Sequence, residues 1–315
     1  MEIKTVGLVG LGLLGRGIAA CLLGNGLRVV AYSRDEATRE PARRHIEGAL
    51  RELVEHGQQD ADANWSERYI EADSFEALRE VDFVIESIIE DFGAKLEVYD
   101  ELEAIVGDEV PICSNTSALP ISLLQQSRRH PERFVGMHWG EPCHVLRFME
   151  IIRGAATADA PFEATVELAR RLGKQPSLVE KDMRGFVTNR LFYAMLREAF
   201  HLLESGVADI ATIDRSFRND MGWWSTLAGP FRFLDLTGIP AYAAVAKELF
   251  PELCNDAEVP RALQEMADAG ARGVGNAKGF YEYTEDEAAQ WSQRWHDFTW
   301  DIRGVAEKYV PLDES

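Results

Sequence analysis

His138 closes an apolar, β-prone run that begins at Arg133 (RFVGMH), and Glu150 follows it by twelve residues, behind a loop. Such a loop lets an imidazole and a carboxylate meet across neighbouring strands. A carboxylate on one ring nitrogen fixes the tautomer and stabilises the imidazolium that forms when the other nitrogen takes a hydroxyl proton during hydride transfer. Ser117 and Asn189 are then candidates to hold the substrate oxygen, whose charge changes in the transition state. Each residue alone also has a plain structural reading: a histidine in a strand is commonly structural, and Asn189 in an apolar helix can be a packed polar residue.

Hydride transfer needs a carrier, and the N-terminal stretch TVGLVGLGLLGRGIAACLLGNGLRVVAYSRD reads as one unit of strand, tight turn, helix and strand. Its Gly10-x-Gly12-x-x-Gly15 serves three needs in such a unit: the turn, close approach of backbone to a pyrophosphate, and packing of helix on sheet. A helix starting near Leu13 and Leu14 offers unpaired N–H groups and a positive dipole end to the phosphates. The second strand ends Tyr32-Ser33-Arg34, where an acid would hold a ribose 2′-hydroxyl and repel a 2′-phosphate. A hydroxyl followed by a guanidinium suits a phosphate, so NADP is favoured over NAD. The alternative is that Arg34 stacks on adenine while Asp35 or Glu36 points away, leaving either cofactor acceptable.

Positioning these residues requires an α/β frame. Strands are expected at Val81–Glu86, Pro111–Ser114 and Arg133–His138, with helices at Phe92–Val106 and Asp159–Gly173, and Ser177–Glu180 closing the sheet. Right-handed crossovers make that order a mostly parallel, Rossmann-type sheet with ligands at the carboxyl ends of its strands. After Lys181 the apolar residues recur at three and four, beginning with MRGFVTNRLFYAMLREAFHLLESG, and further helices are expected at Ala208–Asn219, Ala241–Leu249 and Ala257–Ala269. The expected organisation is a dinucleotide-binding α/β domain over residues 1–182 and an all-α C-terminal domain over 183–315. The long aromatic helix (Phe186, Phe192, Tyr193, Phe200) calls for a partner surface, so a homodimer through the C-terminal helices is expected.

Across 315 residues, 46% hydrophobic and 27% charged residues describe an ordinary folded protein. Lys plus Arg total 33 against 53 Asp plus Glu, a net charge of −20 that repels nucleic-acid phosphates and anionic membranes. The start MEIKTVGLVG lacks a basic segment ahead of a long apolar run, and no spanning stretch occurs, so a cytoplasmic location is expected. Cys21, Cys113, Cys143 and Cys254 form no CxxC pair. A disulfide framework or a zinc site would need a coincidence of folding; four reduced thiols and no metal are the expectation.

Taken together, SNTSALP from Ser114, GMHWGEP from Gly136, FMEI to Ile151, GFVTNR from Gly185 and the closing KGFYEY resemble the 3-hydroxyacyl-CoA dehydrogenase family over almost the whole chain. The resemblance implies His138 as general base, Glu150 as its partner, and Ser117 and Asn189 as groups orienting the substrate. It also implies that Glu90 and Lys95, from IIEDFGAK, and Asn115 contact the cofactor.

The departures bear on the substrate. Members that use CoA carry a serine and lysines in the helix after the second strand, where this sequence has Ala49 and His56 and ends RELVEHGQQDADANW; Arg43, Arg44 and Arg51 weaken that contrast. HWGEP replaces the family's HFFNP, which makes Glu141 either a substrate contact or a rim residue. The loop MGWWSTLAGP from Met221 resembles in length that of members acting on small polar acids, L-gulonate and L-carnitine dehydrogenases; the HW motif resembles that of a formyl-hydroxy-methylpyridine-carboxylate dehydrogenase. Trp139, Trp223 and Trp224 are then candidate pocket walls, or core or interface residues, and His144 or Arg147 a carboxylate contact. The implied activity is hydride transfer between a nicotinamide and a 3-hydroxy or 3-keto group of a small free acid. The alternatives are a true (S)-3-hydroxyacyl-CoA dehydrogenase and a non-catalytic nucleotide-binding protein.

Overall fold

The structure is a computed structural model, describing residues 2–57, 64–310 and 312. The chain divides into two compact units, Met1–Asn189 and Arg190–Ser315. The acidic stretch expected to end the second helix, residues 58–63, lies outside the described residues.

The first unit is an eight-stranded sheet in the order β3-β2-β1-β4-β5-β6-β7-β8. Its strands are β1 (Thr5–Val9), β2 (Arg28–Tyr32), β3 (Tyr69–Ala72), β4 (Phe83–Glu86), β5 (Ile112–Ser114), β6 (Phe134–Trp139), β7 (Phe148–Arg153) and β8 (Gln175–Val179). All pairs are parallel except β6 with β7. The sequence carries the reason: VGLV, FVIE and FVGMH are near-continuous apolar runs, as strands covered on both faces require, and they are buried. Helices α1 (Leu13–Gly24), α2 (Arg39–Glu55), α3 (Trp65–Arg68), α4 (Phe92–Ile105), α5 (Ile121–Leu124) and α6 (Asp159–Arg171) make the crossovers. From β1 the chain builds outward to β2 and β3, then returns to lay β4 on the other side of β1. That reversal opens a crevice at the carboxyl ends of β1 and β4.

A carboxylate inside this sheet fixes the floor of the crevice. Glu86, the last residue of β4, is fully buried and accepts hydrogen bonds from Lys95 Nζ (2.6 Å), Tyr99 Oη (2.7 Å), Ser114 Oγ (2.8 Å) and the Ile88 amide (2.9 Å). Lys95 and Tyr99 are one helical turn apart on α4, so a single face of that helix closes on the β4 terminus. Burial and the adjacent Glu86 charge push the Tyr99 hydroxyl well above its ordinary pKa, keeping it a neutral donor.

The second unit is helical: α7 (Thr188–Glu204, whose first two residues belong to the first unit), α8 (Ile210–Asn219), α9 (Met221–Trp224), α10 (Pro230–Thr237), α11 (Ile239–Leu249), α12 (Arg261–Asp268) and α13 (Glu285–Tyr309). Several elements were not anticipated from the sequence, among them α3, α10 and α9, which begins the stretch expected as a loop from Met221; two others stand out. One is the short edge strand β3, where YIEA shows no clean alternation. The other is α13, whose 25 residues start at a capping box between Thr284 and Glu287.

Lys95→Met keeps the stem of the side chain and removes its charge, leaving Glu86 as a buried anion without its cation. A loss of about 3 to 5 kcal/mol is expected, read as a lowered guanidinium midpoint for the first unit. A midpoint unchanged from wild type would contradict the role given to this pair.

Candidate active site

His138 and Glu150 are directly opposite each other in the antiparallel β6–β7 pair. His138 Nδ1 lies 2.8 Å from Glu150 Oε2. The ring is wedged edge-on against Phe148 and beside Phe186, with centroids at 5.5 and 5.9 Å. With Nδ1 held by the carboxylate, Nε2 is the ring nitrogen that Glu150 leaves unengaged.

The other oxygen of Glu150, Oε1, accepts the amides of Val187 (3.0 Å) and Thr188 (2.9 Å). Those amides are aimed by a left-handed corner: Gly185 has φ +79° and Phe186 φ +49°. Glycine takes such a φ freely; for phenylalanine it is a strained conformation, which persists here with the ring itself fully buried beside His138. Burial alone raises the Glu150 carboxyl. The hydrogen bonds from His138, Thr188 and Val187 outweigh burial and hold it below the usual carboxylate range.

Asn189 follows at once on α7, and its Nδ2 donates to the backbone carbonyl of Ser117 (2.7 Å). The four residues expected to do chemistry are thus one connected set: His138 to Glu150, Glu150 to the start of α7, and α7 through Asn189 to Ser117. Asn189 acts on the Ser117 loop through its amide nitrogen, leaving its carbonyl oxygen and the Ser117 hydroxyl for a ligand.

Ser117 also belongs to the crevice, a cavity of about 550 Å³ lined by Gly10, Gly12, Leu13, Leu14, Ser33, Arg34, Glu90 and Asn115 among others. The glycines fit a dinucleotide. A Cβ at Gly10 would meet the Ser87 carbonyl at 2.3 Å and one at Gly15 the Gly10 carbonyl at 2.1 Å, whereas a Cβ at Gly12 would meet nothing within 4 Å. Gly10 and Gly15 therefore make the turn and the packing, and Gly12 keeps the crevice open. Gly12 is also the N-cap of α1 without a side chain to cap it, so first-turn amides remain for a pyrophosphate.

Within that lining, Glu90 Oε1 accepts from Thr116 Oγ1 (2.6 Å) and the amides of Ser117 and Ala118 (both 3.0 Å). Burial raises its carboxyl, and these bonds together with the Lys95 charge bring it below the ordinary value. Asn115 joins Ser87 Oγ (3.0 Å) to the amide of Trp139, the residue after His138 (3.0 Å).

Several expectations change. Lys95 has no exposed surface and sits beneath the crevice, holding Glu86 at 2.6 Å and Glu90 at 3.6 Å, so it positions the lining instead of touching a cofactor. His144 is buried against α2 with Nε2 3.0 Å from Glu52, and Arg147 Nη2 donates to Gln175 (3.0 Å); both are engaged within the protein, away from the carboxylate-binding role expected of them. Beside His144, burial and the charges of Arg16 and His144 push His45 down to about 4. Glu141 lies over α1, its Oε2 3.7 Å from Cys143 Sγ, and burial raises its carboxyl. Trp139 is a core residue. Trp224 belongs to the second unit and stacks on Phe233 at 4.0 Å. Ser33 Oγ is already bonded to Thr38 Oγ1 (2.8 Å) and the Asp35 carbonyl (3.2 Å).

The sequence reading missed Glu86, Thr116 and the Gly185–Phe186 corner. A glutamate ending an otherwise apolar strand, with lysine and tyrosine nine and thirteen residues on, was a usable signal for the first. Nothing local marks the corner's role, because the Glu150 it serves lies 37 and 38 residues away.

Comparison with known proteins meets this geometry. Residues 5–183 match the family model "3-hydroxyacyl-CoA dehydrogenase, NAD binding domain", and residues 185–283 the corresponding C-terminal domain. The chain belongs to the 3-hydroxyacyl-CoA dehydrogenase family. It is 34% identical over 285 residues to the 5-formyl-3-hydroxy-2-methylpyridine 4-carboxylate 5-dehydrogenase of Mesorhizobium japonicum, covering 90% of this chain and 92% of that one. It is 31% identical over 284 residues to a 3-hydroxybutyryl-CoA dehydrogenase of Bradyrhizobium diazoefficiens, covering 89% and 96%. Among solved structures, a 5-formyl-3-hydroxy-2-methylpyridine 4-carboxylic acid 5-dehydrogenase, described as NAD+ dependent, superposes with a TM-score of 0.90 at 32% identity, over 97% of this chain and 99% of that one. An (S)-3-hydroxybutyryl-CoA dehydrogenase from Ralstonia eutropha gives 0.74 at 31% identity, over 90% and 100%. The protein is accordingly an NAD(P)-dependent dehydrogenase acting on hydroxyl groups, with the expected α/β and all-α organisation.

Because folding lowers the Glu150 carboxyl, its contribution to stability is complete above the ordinary carboxyl value of 4.5 and fades as pH falls through the depressed native value. Glu150→Ala should therefore destabilise clearly at pH 7, and the gap from wild type should shrink below pH 4.5. Urea unfolding of both proteins at two pH values reads this; a gap constant with pH would mean that the carboxylate's charge is not what matters.

Proposed function

We propose that the protein transfers hydride between NAD and the 3-hydroxy or 3-keto carbon of a small free acid, with His138 as the proton-transfer group and no CoA ester involved. The observation that carries the exclusion of CoA is on α2. Arg43, Arg44 and Arg51 are each paired with a glutamate, Glu71 at 3.1 Å, Glu40 at 3.0 Å and Glu47 at 3.5 Å, and Ala49 is buried in the core. That helix offers a 3′-phospho-ADP no uncommitted cation from these three, and a buried methyl where CoA-using members carry serine. The relative acting on a pyridine carboxylate supports a compact acidic substrate.

Bound at the crevice, the nicotinamide supplies the hydride acceptor or donor. His138 Nε2 takes the hydroxyl proton on oxidation and returns it on reduction, Glu150 holds the ring and balances the imidazolium, and Ser117 with Asn189 orients the substrate oxygen. NAD is favoured over NADP because Ser33 is engaged internally and the hollow around Arg34 is lined by Asp73, Glu76, Glu97 and Glu101, with Arg34 3.9 Å from Glu97. Such a wall repels a 2′-phosphate. Four cysteines free of disulfides suit the reducing cytoplasm. The completeness of the His138–Glu150 set argues against a non-catalytic nucleotide-binding role.

The test is a calorimetric titration with NADH, NADPH and acetyl-CoA, followed by assays against acetoacetyl-CoA and a panel of small hydroxy acids. NADH heat without acetyl-CoA heat is expected. Saturable reduction of acetoacetyl-CoA would overturn the free-acid reading. His138→Ala should lower turnover by at least about 10²-fold with NADH binding unchanged, and an unaltered rate would refute the assignment of the base.

The second unit supports a homodimer. On α13, Trp291, Trp295, Phe298, Ile302, Val305 and Tyr309 recur at spacings of four and three, and Trp295 is 62% exposed. An apolar stripe with that alternation is self-complementary and seeks another helix. Sedimentation equilibrium should give twice the chain mass for the wild type and a single chain for Trp295→Glu/Phe298→Glu; a monomeric wild type would remove the proposal.

A further inference from the structure

The second unit brings together three metal-ligating side chains that the hydride chemistry does not use. His201 lies in the last turn of α7, and Cys254 and Asp256 lie in the segment between α11 and α12. One ligand atom from each falls within 4.8 Å of the other two. None of the three side chains has a hydrogen-bond or ion-pair partner among the described residues.

The segment is held in place without them. Glu198 Oε2 accepts the Cys254 amide (2.8 Å), and Glu204 Oε1 accepts the Ala262 amide (2.8 Å). Glu198, His201 and Glu204 stand three residues apart along one face of α7, so the segment is clamped on either side of the imidazole. His201, Glu204, Cys254 and Asp256 then border a cavity of about 270 Å³.

From this geometry we propose that His201, Cys254 and Asp256 form a site for a zinc-class divalent cation. A neutral imidazole, a thiolate and a carboxylate around a divalent ion give a set with no net charge. A thiolate and an imidazole together select zinc over calcium and magnesium, which take oxygen ligands. Tetrahedral zinc places its ligand atoms about 3.5 Å apart, so closure from the observed separations needs only side-chain rotation and a small shift of the segment. The fourth position is open to water. The ion's effect is structural: it ties the segment after α11 to α7, and it stabilises the folded chain by mass action. The site is independent of the substrate assignment, since none of its residues belongs to the hydride-transfer set.

The full-length protein, stripped with a chelator, is titrated with Zn2+ in competition with a chromophoric chelator and, separately, with Co2+ followed by absorption. One equivalent of Zn2+, a near-ultraviolet thiolate-to-cobalt band and a melting temperature raised by Zn2+ are expected. His201→Ala, Cys254→Ser and Asp256→Asn should each weaken Zn2+ binding at least tenfold, Cys254→Ser should abolish the cobalt band, and NADH binding should be unchanged in all three. Zn2+ binding no tighter in the wild type than in the His201→Ala/Cys254→Ser double variant would overturn the proposal. So would a cobalt complex of the wild type without the thiolate band, a result that does not depend on any variant folding.

Discussion

Glu150 presents its two oxygens to two different parts of the chain, and the candidate site is assembled because both are engaged at once. One oxygen holds the imidazole of the opposite residue in the β6–β7 pair; the other receives two amides at the start of α7. The second interaction sets where Asn189 stands, and Asn189 in turn fixes the Ser117 carbonyl. A single buried carboxylate thereby couples the sheet edge, the strained Gly185–Phe186 corner and the loop after β5. It remains ionised because the donors around it outweigh its burial. The same ionised state is what an imidazolium next to it needs.

The pattern repeats on the cofactor side. Glu86 gathers β4, β5 and α4, and Glu90 gathers the amides of the SNTS loop. Lys95 touches both and is itself fully covered. Acidic residues in a parallel sheet are costly unless each oxygen is hydrogen-bonded; here each serves to lock one strand end to the next. The ligand-facing Ser117 inherits its position from Glu90, which itself lines the crevice, and Glu90 is held from beneath by the fully covered Lys95.

This division explains what the sequence made legible. The GxGxxG turn, the strand runs and the twelve-residue interval from His138 to Glu150 are local patterns with local causes, and each was readable. The strand register that places His138 opposite Glu150 follows from two neighbouring runs and a short loop. By contrast, the roles of His144, Arg147 and Lys95 depend on Glu52, Gln175 and Glu86, partners 92, 28 and 9 residues away. A basic side chain near a site in sequence was read as facing the ligand, when burial had already given it an internal partner. Helix α13 was missed for a different reason: its apolar residues form two faces, one around Trp300 and one through Trp295, and two overlapping periods blur the single stripe that marks an ordinary surface helix.

Overall charge and local charge bear on the substrate in different ways. A net charge of −20 spread over the chain acts at a distance, and salt screens it within about 8 Å at physiological ionic strength. It therefore discriminates weakly between a CoA ester and a free acid, both of which are anions. What discriminates is local. Three arginines on α2 that seemed available for phosphate are neutralised on the spot by Glu71, Glu40 and Glu47. A phosphate binding there would have to displace three surface ion pairs, each worth under about 1 kcal/mol, and would still meet the glutamates left behind. The glutamates, more than the ion pairs themselves, are the barrier, because their repulsion persists after the pairs are broken. A small acid bound beside His138 has no need of that surface.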